Sequence, residues 1–186
     1  MAPQGLVATF SPAASPATEA APGVSRSAVV DLFDLHAPAL FRFAAAMLHD
    51  PDAAQDVVQD AFLKLVQHVA AGRPLPNPRG WLFTVVAHGC RDRQRRAWRL
   101  LPWSAEQDGR VSADVADQVS AREAVRGALR RLRARDRLLV ALKAQGLTYE
   151  EIAAAASIRE TSIGRLLARA LDRLAREIDR LQEAPR

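Results

Sequence analysis

Residues 146–170, GLTYEEIAAAASIRETSIGRLLARA, decide the fold of this chain. Gly146 fits the end of a preceding helix, where a left-handed residue is favoured. Thr148 and Glu151, three apart, form a capping box: each side chain can satisfy a backbone N–H at the start of a helix. A short helix from Tyr149 to about Ala155 should follow. A turn at Ala156-Ser157-Ile158 leads into a longer helix from about Glu160 to Leu181. Ala153 to Ala156 are small and let two helices cross closely, while Ile152, Ile158, Ile163 and Leu167 can fill the space between them. Arg165 and Arg169 lie four apart, opposite the apolar positions. A capped short helix, a tight turn and a longer basic helix make a helix-turn-helix. In that geometry the second helix enters the major groove and presents such side chains to bases and phosphates. Many alanine-rich hairpins share the pattern without touching DNA, so this segment alone leaves both readings open.

Working outward, helical spacing runs through Val125, Leu129, Leu132, Leu138, Leu139 and Leu142. Residues 101–119 are polar and acidic, contain Gly109 and read as a linker. Upstream, Val29, Val30, Phe33, Leu40, Phe41, Ala44, Met47 and Leu48 recur at helical spacings. Pro38 interrupts them, which predicts a kink or two short helices. Asp50-Pro51-Asp52 supplies an N-cap, a first-turn proline and a first-turn acid. The helix it starts should reach about Val69, with Val57, Phe62, Leu65 and Val66 inward. Gly72 ends it. Arg73-Pro74-Leu75-Pro76-Asn77 is a stiff loop, and Asn77-Pro78 starts the next helix, with Trp81, Leu82, Val85 and Val86 inward and an arginine cluster near its end. Residues 1–25, broken by four prolines, read as a disordered tail.

The expected class is therefore all-α, with two small helical domains, 26–100 and 120–183, joined by a flexible linker. The composition agrees: 186 residues, 49% hydrophobic but only 5% aromatic, nine glycines and one tyrosine. That is enough chain for one domain or two small ones, and poor material for a β-rich fold. No apolar stretch approaches the roughly 20 residues that span a bilayer. No signal peptide is evident, which makes a cytoplasmic location the expectation.

The net charge is +5, and 24 of the 26 basic residues are arginine. Residues 120–186 hold fifteen bases against nine acids, and a second dense cluster lies at Arg91, Arg93, Arg95 and Arg96. Two separated basic sites fit a polyanion held at two places. Solvated helix faces fit the same numbers.

Catalytic chemistry is harder to find. His36, His49, His68 and His88 are scattered, and the lone Cys90 excludes an internal disulfide or a thiolate zinc site within one chain. There is no glycine-rich phosphate loop or nucleophile elbow. Asp52, Asp56 and Asp60 line one helix face. They could be a solvated ridge, a metal site lacking a second carboxylate set, or a docking surface for a basic partner. No cofactor, metal site or catalytic residue is assigned.

Two segments together resemble one family. Leu32-Phe33-Asp34-Leu35-His36-Ala37-Pro38-Ala39-Leu40-Phe41-Arg42, then Asp56-Val57-Val58-Gln59-Asp60-Ala61-Phe62-Leu63-Lys64-Leu65, resembles domain 2 of the extracytoplasmic-function (ECF) sigma factors of the sigma-70 family. Asn77-Pro78-Arg79-Gly80-Trp81-Leu82-Phe83, through Asp92, Arg95 and Arg96, is similar to the rest of that domain. Gly146 to Ala153, with Leu167-Ala168-Arg169-Ala170, resembles domain 4.

The resemblance implies a non-enzymatic chain that binds core RNA polymerase and directs promoter-specific initiation. Asp56, Gln59, Asp60 and Phe62 would dock on the clamp helices of the largest polymerase subunit. Leu75, Asn77, Arg79, Arg91, Arg95 and Arg96 would contact the melted "minus ten" element. Arg159, Ser162, Arg165 and Arg169 would read the "minus thirty-five" duplex. Gly164 and Leu166 stand where this family often has basic residues, so the bases of the reading helix are shifted. Core polymerase and promoter DNA are the implied partners, with an anti-sigma factor in many relatives. Without the resemblance, a helix-turn-helix regulator with an N-terminal helical sensor, or a small helical metal enzyme on Asp52, Asp56 and Asp60, would also fit parts of the chain.

Overall fold

The starts of three helices are written in side chains that cap them. In the computed structural model, which describes residues 26–100 and 121–183, Asp50 accepts from the backbone N–H groups of Asp52 and Ala53 at 3.0 Å each and begins α2 (Pro51–Ala70). Asn77 accepts from Gly80 N at 2.9 Å and begins α3 (Pro78–Leu100). Thr148 and Glu151 form the capping box of α6 (Tyr149–Ala156), and both of its bonds are present. These contacts satisfy donors that the first turn of a helix cannot. The stops are equally local. Gly72 and Gly146 take φ of +64° and +75°, the left-handed conformation that glycine adopts without a Cβ penalty.

Four more helices complete the described chain: α1 (Arg26–Leu48), α4 (Ala121–Arg131), α5 (Ala134–Ala144) and α7 (Glu160–Glu183). There is no strand among the described residues, and no helix is long and apolar enough to cross a membrane. The all-α class expected from the sequence is the one observed. The tail at 1–25 and the linker at 101–119 lie outside the described residues.

Two expectations need correction. Pro38 does not divide α1, which runs as one continuous helix. Pro38 faces solvent, where water can take up the carbonyl that loses its donor, while Leu40, Phe43, Ala44 and Met47 on the inner face are fully buried. Burial of such side chains is worth about 1.5–3 kcal/mol each for the larger ones, enough to outweigh one lost bond. Val66, expected inward, is exposed; the inward row of α2 is Ala54, Val57, Val58, Ala61, Phe62 and Leu65.

Helices α1, α2 and α3 pack around Phe43, Leu65, Leu82, Phe83 and Val86. Phe43 meets Phe83 edge to face at 5.6 Å between ring centres. Helices α4 to α7 form a second group, with Leu139, Leu142, Leu147, Ile152 and Ile163 inside. The two groups touch: α3 lies along α6 and α1 along α5, and their apolar side chains form one continuous buried cluster. Burial pushes the Cys90 thiol up to about 12 against the opposing pull of Arg93, so it behaves as a small core residue.

Candidate functional site

Three surfaces carry the side chains singled out by the sequence. The first is the acidic face of α2. Asp56, Gln59 and Asp60 are exposed along it, and Asp56 accepts from Arg93 of α3 at 3.0 Å. Phe62 is different. It is only 7% exposed and packs edge to face under Phe33 at 4.8 Å. A direct contact by Phe62 is therefore not what the surface offers; Phe62 supports Phe33, which is 46% exposed. With Val30, Leu63 and Val66 also exposed on α1 and α2, these helices present apolar side chains alongside the carboxylates. The acids were legible from their four-residue spacing. The exposed partners were not, because apolar residues at helical spacing look like core. Among the described residues no three metal-ligating side chains come together.

The second surface runs from the loop before α3 along that helix. Pro74 O accepts from His68 Nε2 at 3.2 Å, and His68 stacks at a tilt on Trp81, so α2 and α3 pin the loop. Leu75 is half-buried against the core. Asn77 holds both ends of its amide in use: Oδ1 caps α3, and Nδ2 donates to Glu151 Oε1 of α6 at 2.8 Å. Gly80 allows that approach, since a Cβ there would stand 2.8 Å from Asn77 Nδ2 and 2.9 Å from Glu151 Oε1. Burial alone would raise the Glu151 carboxyl, but hydrogen bonds from Asn77 and Thr148 and the charge of Arg79 bring it below its ordinary value. Arg79 donates to the carbonyl of Gln145 and lies over the Phe83 ring at 5.6 Å. Arg91 donates to Ala155 O at 2.9 Å, Ala156 O at 3.1 Å and Ser157 Oγ at 3.3 Å. Arg95 and Arg96 stay exposed, Arg95 paired with Asp92 at 2.7 Å.

The third surface is the α6–α7 hairpin. Ser157 closes α6 in the left-handed conformation, and Ile158 N returns to Ala153 O at 3.0 Å. Ile152, Ala153, Ala155 and Ala156 bury one side of α6; Ile163, Leu167 and Ala170 bury one side of α7. That leaves Arg159, Arg165 and Arg169 exposed and Ser162 half-buried. Gly164 lies beside the Tyr149 ring, with room for an ordinary contact at 3.7 Å. Lys143 stands over that exposed ring, its ammonium 5.2 Å from the ring centre, a basic neighbour not singled out by the sequence pattern. Beneath the hairpin, buried Asp136 is paired with Arg173 of α7.

One further pair joins the two helix groups. Arg137, only 8% exposed, donates from Nη1 to His49 Nε2 at 2.9 Å. Burial, reinforced by the charges of Arg137 and Arg130, holds the His49 imidazole down at about 4, so it accepts this bond as the neutral ring. His88 is lowered by burial and then by Arg91, and its Nε2 lies 3.4 Å from Ser157 Oγ.

Residues 32–100 match the Sigma-70 region 2 family model. RNA polymerase sigma factor CarQ of Myxococcus xanthus is 32% identical over 136 residues, covering 70% of this chain and 77% of CarQ. ECF RNA polymerase sigma factor SigM of Mycobacterium tuberculosis is 33% identical over 152 residues, covering 81% of this chain and 77% of SigM. Against SigL of the same organism identity is 35% over 112 residues, and the match spans little more than half of SigL, 56%. The sigma factor RpoE, solved in complex with the anti-sigma factor NepR from Bartonella quintana, superposes with a TM-score of 0.64 at 25% identity, over 84% of this chain and 98% of RpoE. CnrH, solved with the cytosolic domain of CnrY, gives 0.60 at 25% identity, over 83% of this chain and 90% of CnrH. Helical architecture, the region 2 match and relatives aligned over more than three quarters of their length lead to one assignment: the chain belongs to the ECF class of RNA polymerase sigma factors.

Proposed function

We propose that this chain binds core RNA polymerase through the α2 face and directs initiation at promoters read by its other two surfaces. The observation that carries the reading is the separation of charge on one chain. Exposed carboxylates Asp56 and Asp60 stand on α2, and exposed Arg159, Arg165 and Arg169 stand on a capped helix-turn-helix. A face of aligned carboxylates suits a basic protein surface, and a basic recognition helix suits duplex DNA. On this reading α7 reads the "minus thirty-five" element, and the 73–79 loop with α3 reads the melted "minus ten" element, with residues 26–100 and 120–183 acting as the two domains. The polymerase supplies the catalysis, and the chain works in the cytoplasm. RpoE was solved in complex with an anti-sigma factor; an anti-sigma factor is accordingly a third partner class proposed for this chain.

The test is co-purification of the full chain with core polymerase. Reversing both acids, Asp56→Arg with Asp60→Arg, should weaken holoenzyme formation by several kcal/mol through like-charge contact across the interface. The fold should survive, because both positions are exposed and the Asp56–Arg93 pair is a surface pair of small worth. Wild-type affinity in the double variant would remove α2 as the docking face.

A further inference from the structure

Positive charge in the second helix group is sorted by pairing. Arg131, Arg173 and Arg180 are matched with Glu177 or Asp136, along the far half of α7 and its neighbours α4 and α5. Arg159, Arg165 and Arg169 are exposed and make no ion pair among the described residues. Lys143, in the last turn of α5, belongs with this second set. It is exposed, pairs with no carboxylate among the described residues, and holds its ammonium 5.2 Å from the centre of the Tyr149 ring. Tyr149 is the first residue of α6 and is 44% exposed. Its Cε2 lies where a Cβ on Gly164 of α7 would meet it at 3.7 Å. One aromatic ring thus links the end of α5, the start of α6 and a point of α7 that carries no side chain.

Around that point α7 is short of charge. Gly164 offers nothing, and Leu166 is half-buried against the core, so only Arg165 and Arg169 project there. An ammonium over an aromatic face is held by the ring quadrupole, yet its N–H donors remain free for an anion. A side chain already held loses less freedom when it meets a second partner. Lysine is a compact point charge and suits a single phosphate. We propose that Lys143, held on Tyr149, is a further duplex-contacting residue: it takes a backbone phosphate beside the groove entered by α7 and supplies positive charge that α7 lacks at 164 and 166. Tyr149 is its positioning residue and acts through the face of its ring. The inference rests on the duplex-reading role given above to α7.

The placement fits the motif. In a helix-turn-helix the second helix lies in the major groove while the first crosses the DNA backbone. Tyr149 opens that first helix, so a cation on its ring stands on the backbone side. The neighbouring carboxylates are turned to other uses. Glu151 accepts from Thr148 N and from Asn77 Nδ2, and Glu150 lines the cleft against Asn77, Gly80 and Trp81 of α3. A phosphate contact carries no sequence information; it fixes the register in which Arg165 and Arg169 meet the bases. Lys143 also suits the negative end of α5. That role alone would move the stability of the chain and leave the salt dependence of DNA binding untouched.

The experiment uses holoenzyme assembled from core polymerase and the full chain, with filter binding at several salt concentrations. The probe is a promoter duplex identified by sequencing transcripts after overexpression, together with single-base variants across its upstream element. Lys143→Ala should weaken binding about 5-fold on every template and lower the salt slope by about one unit. Lys143→Arg, which keeps the charge, should retain binding. Tyr149→Phe keeps the ring and should bind as wild type, whereas Tyr149→Leu should lose part of what Lys143→Ala loses. Gly164→Lys sets a new cation beside the same ring, where there is room for its Cβ. Added to Lys143→Ala, it should return both affinity and slope. Thermal unfolding of each variant reads stability separately. Arg165→Ala with Arg169→Ala tests α7 itself: unaltered duplex binding there overturns the reading of α7 and this inference with it. If that pair matters while Lys143→Ala leaves affinity and slope unchanged, or Gly164→Lys restores neither, the inference about Lys143 falls alone.

Discussion

Arginines on α3 and on α7 are assigned the same kind of partner, yet their surroundings differ. Arg159, Arg165 and Arg169 stand exposed on α7, with the apolar side of that helix buried behind them. Arg79 and Arg91 are half-buried on α3 and already donate to main-chain carbonyls of the other helix group. The difference teaches that positive charge along a sequence says where a polyanion can be held, while packing says when. On the proposed reading α7 is ready to meet duplex DNA as it stands. On α3, Arg79 and Arg91 are committed to carbonyl oxygens of the other helix group, while Arg95 and Arg96 stay exposed.

The largest effect that sharpens this contrast is expected on α7. Replacing Arg165 and Arg169 together by alanine should cost about 1–3 kcal/mol of duplex affinity for each side chain that reads a base, with relaxed preference there. A side chain touching phosphate alone should instead lower the salt slope by about one unit. Because both side chains are exposed, the fold should be unaffected. Filter binding at several salt concentrations, with helicity measured in parallel, checks both halves. Unaltered duplex binding would break the contrast on the α7 side.

A smaller effect is expected from pH, at the seam between the helix groups. His49 is held at about 4 in the folded chain, by burial and then by the charges of Arg137 and Arg130, against an ordinary value of 6.5. The folded chain therefore binds fewer protons than the unfolded one. The stability that follows is fully present above about pH 6.5 and falls as the pH drops from there toward 4. His88, lowered by burial and then by Arg91, adds the same sign. The ring of His49 is half-exposed, so solvent screening limits the effect to about 1–2 kcal/mol. Urea unfolding from pH 7.5 to 5 should show the midpoint falling on acidification and returning on neutralisation. A midpoint that rises, or does not move, would contradict the neutral His49 acceptor.

Much of the fold was legible because its signals are local. Asp50, Asn77 and Thr148 with Glu151 are caps written within three residues of the N–H groups they satisfy, and Gly72 and Gly146 mark stops by backbone conformation alone. The α6–α7 hairpin followed from those caps and from its small residues. What was not legible depends on contacts far apart in sequence. Nothing near Asn77 announces Glu151, 74 residues on, and nothing near Arg91 announces the end of α6. Glu151 carried a capping signal that hid its second use. Pro38 looked like a break because its exposure could not be read from spacing, and Phe62 looked like a contact because its cover by Phe33 could not. Of the residues singled out for function, the exposed acids and α7 arginines were recognisable by period and charge; the state of the α3 residues needed the fold.

The most direct test of the central claim is run-off transcription with purified core polymerase and the full chain. Templates would come from a promoter identified by sequencing transcripts after overexpression, varied one base at a time through both elements. The account predicts initiation that depends on the added chain. Changes in the upstream duplex element should be read through α7, with Arg165→Ala and Arg169→Ala relaxing preference there. Changes in the melted element should be read through the 73–79 loop and α3, with Arg91→Ala lowering initiation while holoenzyme still forms. Transcription that core polymerase performs equally well without the chain, or a template preference indifferent to both sets of substitutions, would contradict it.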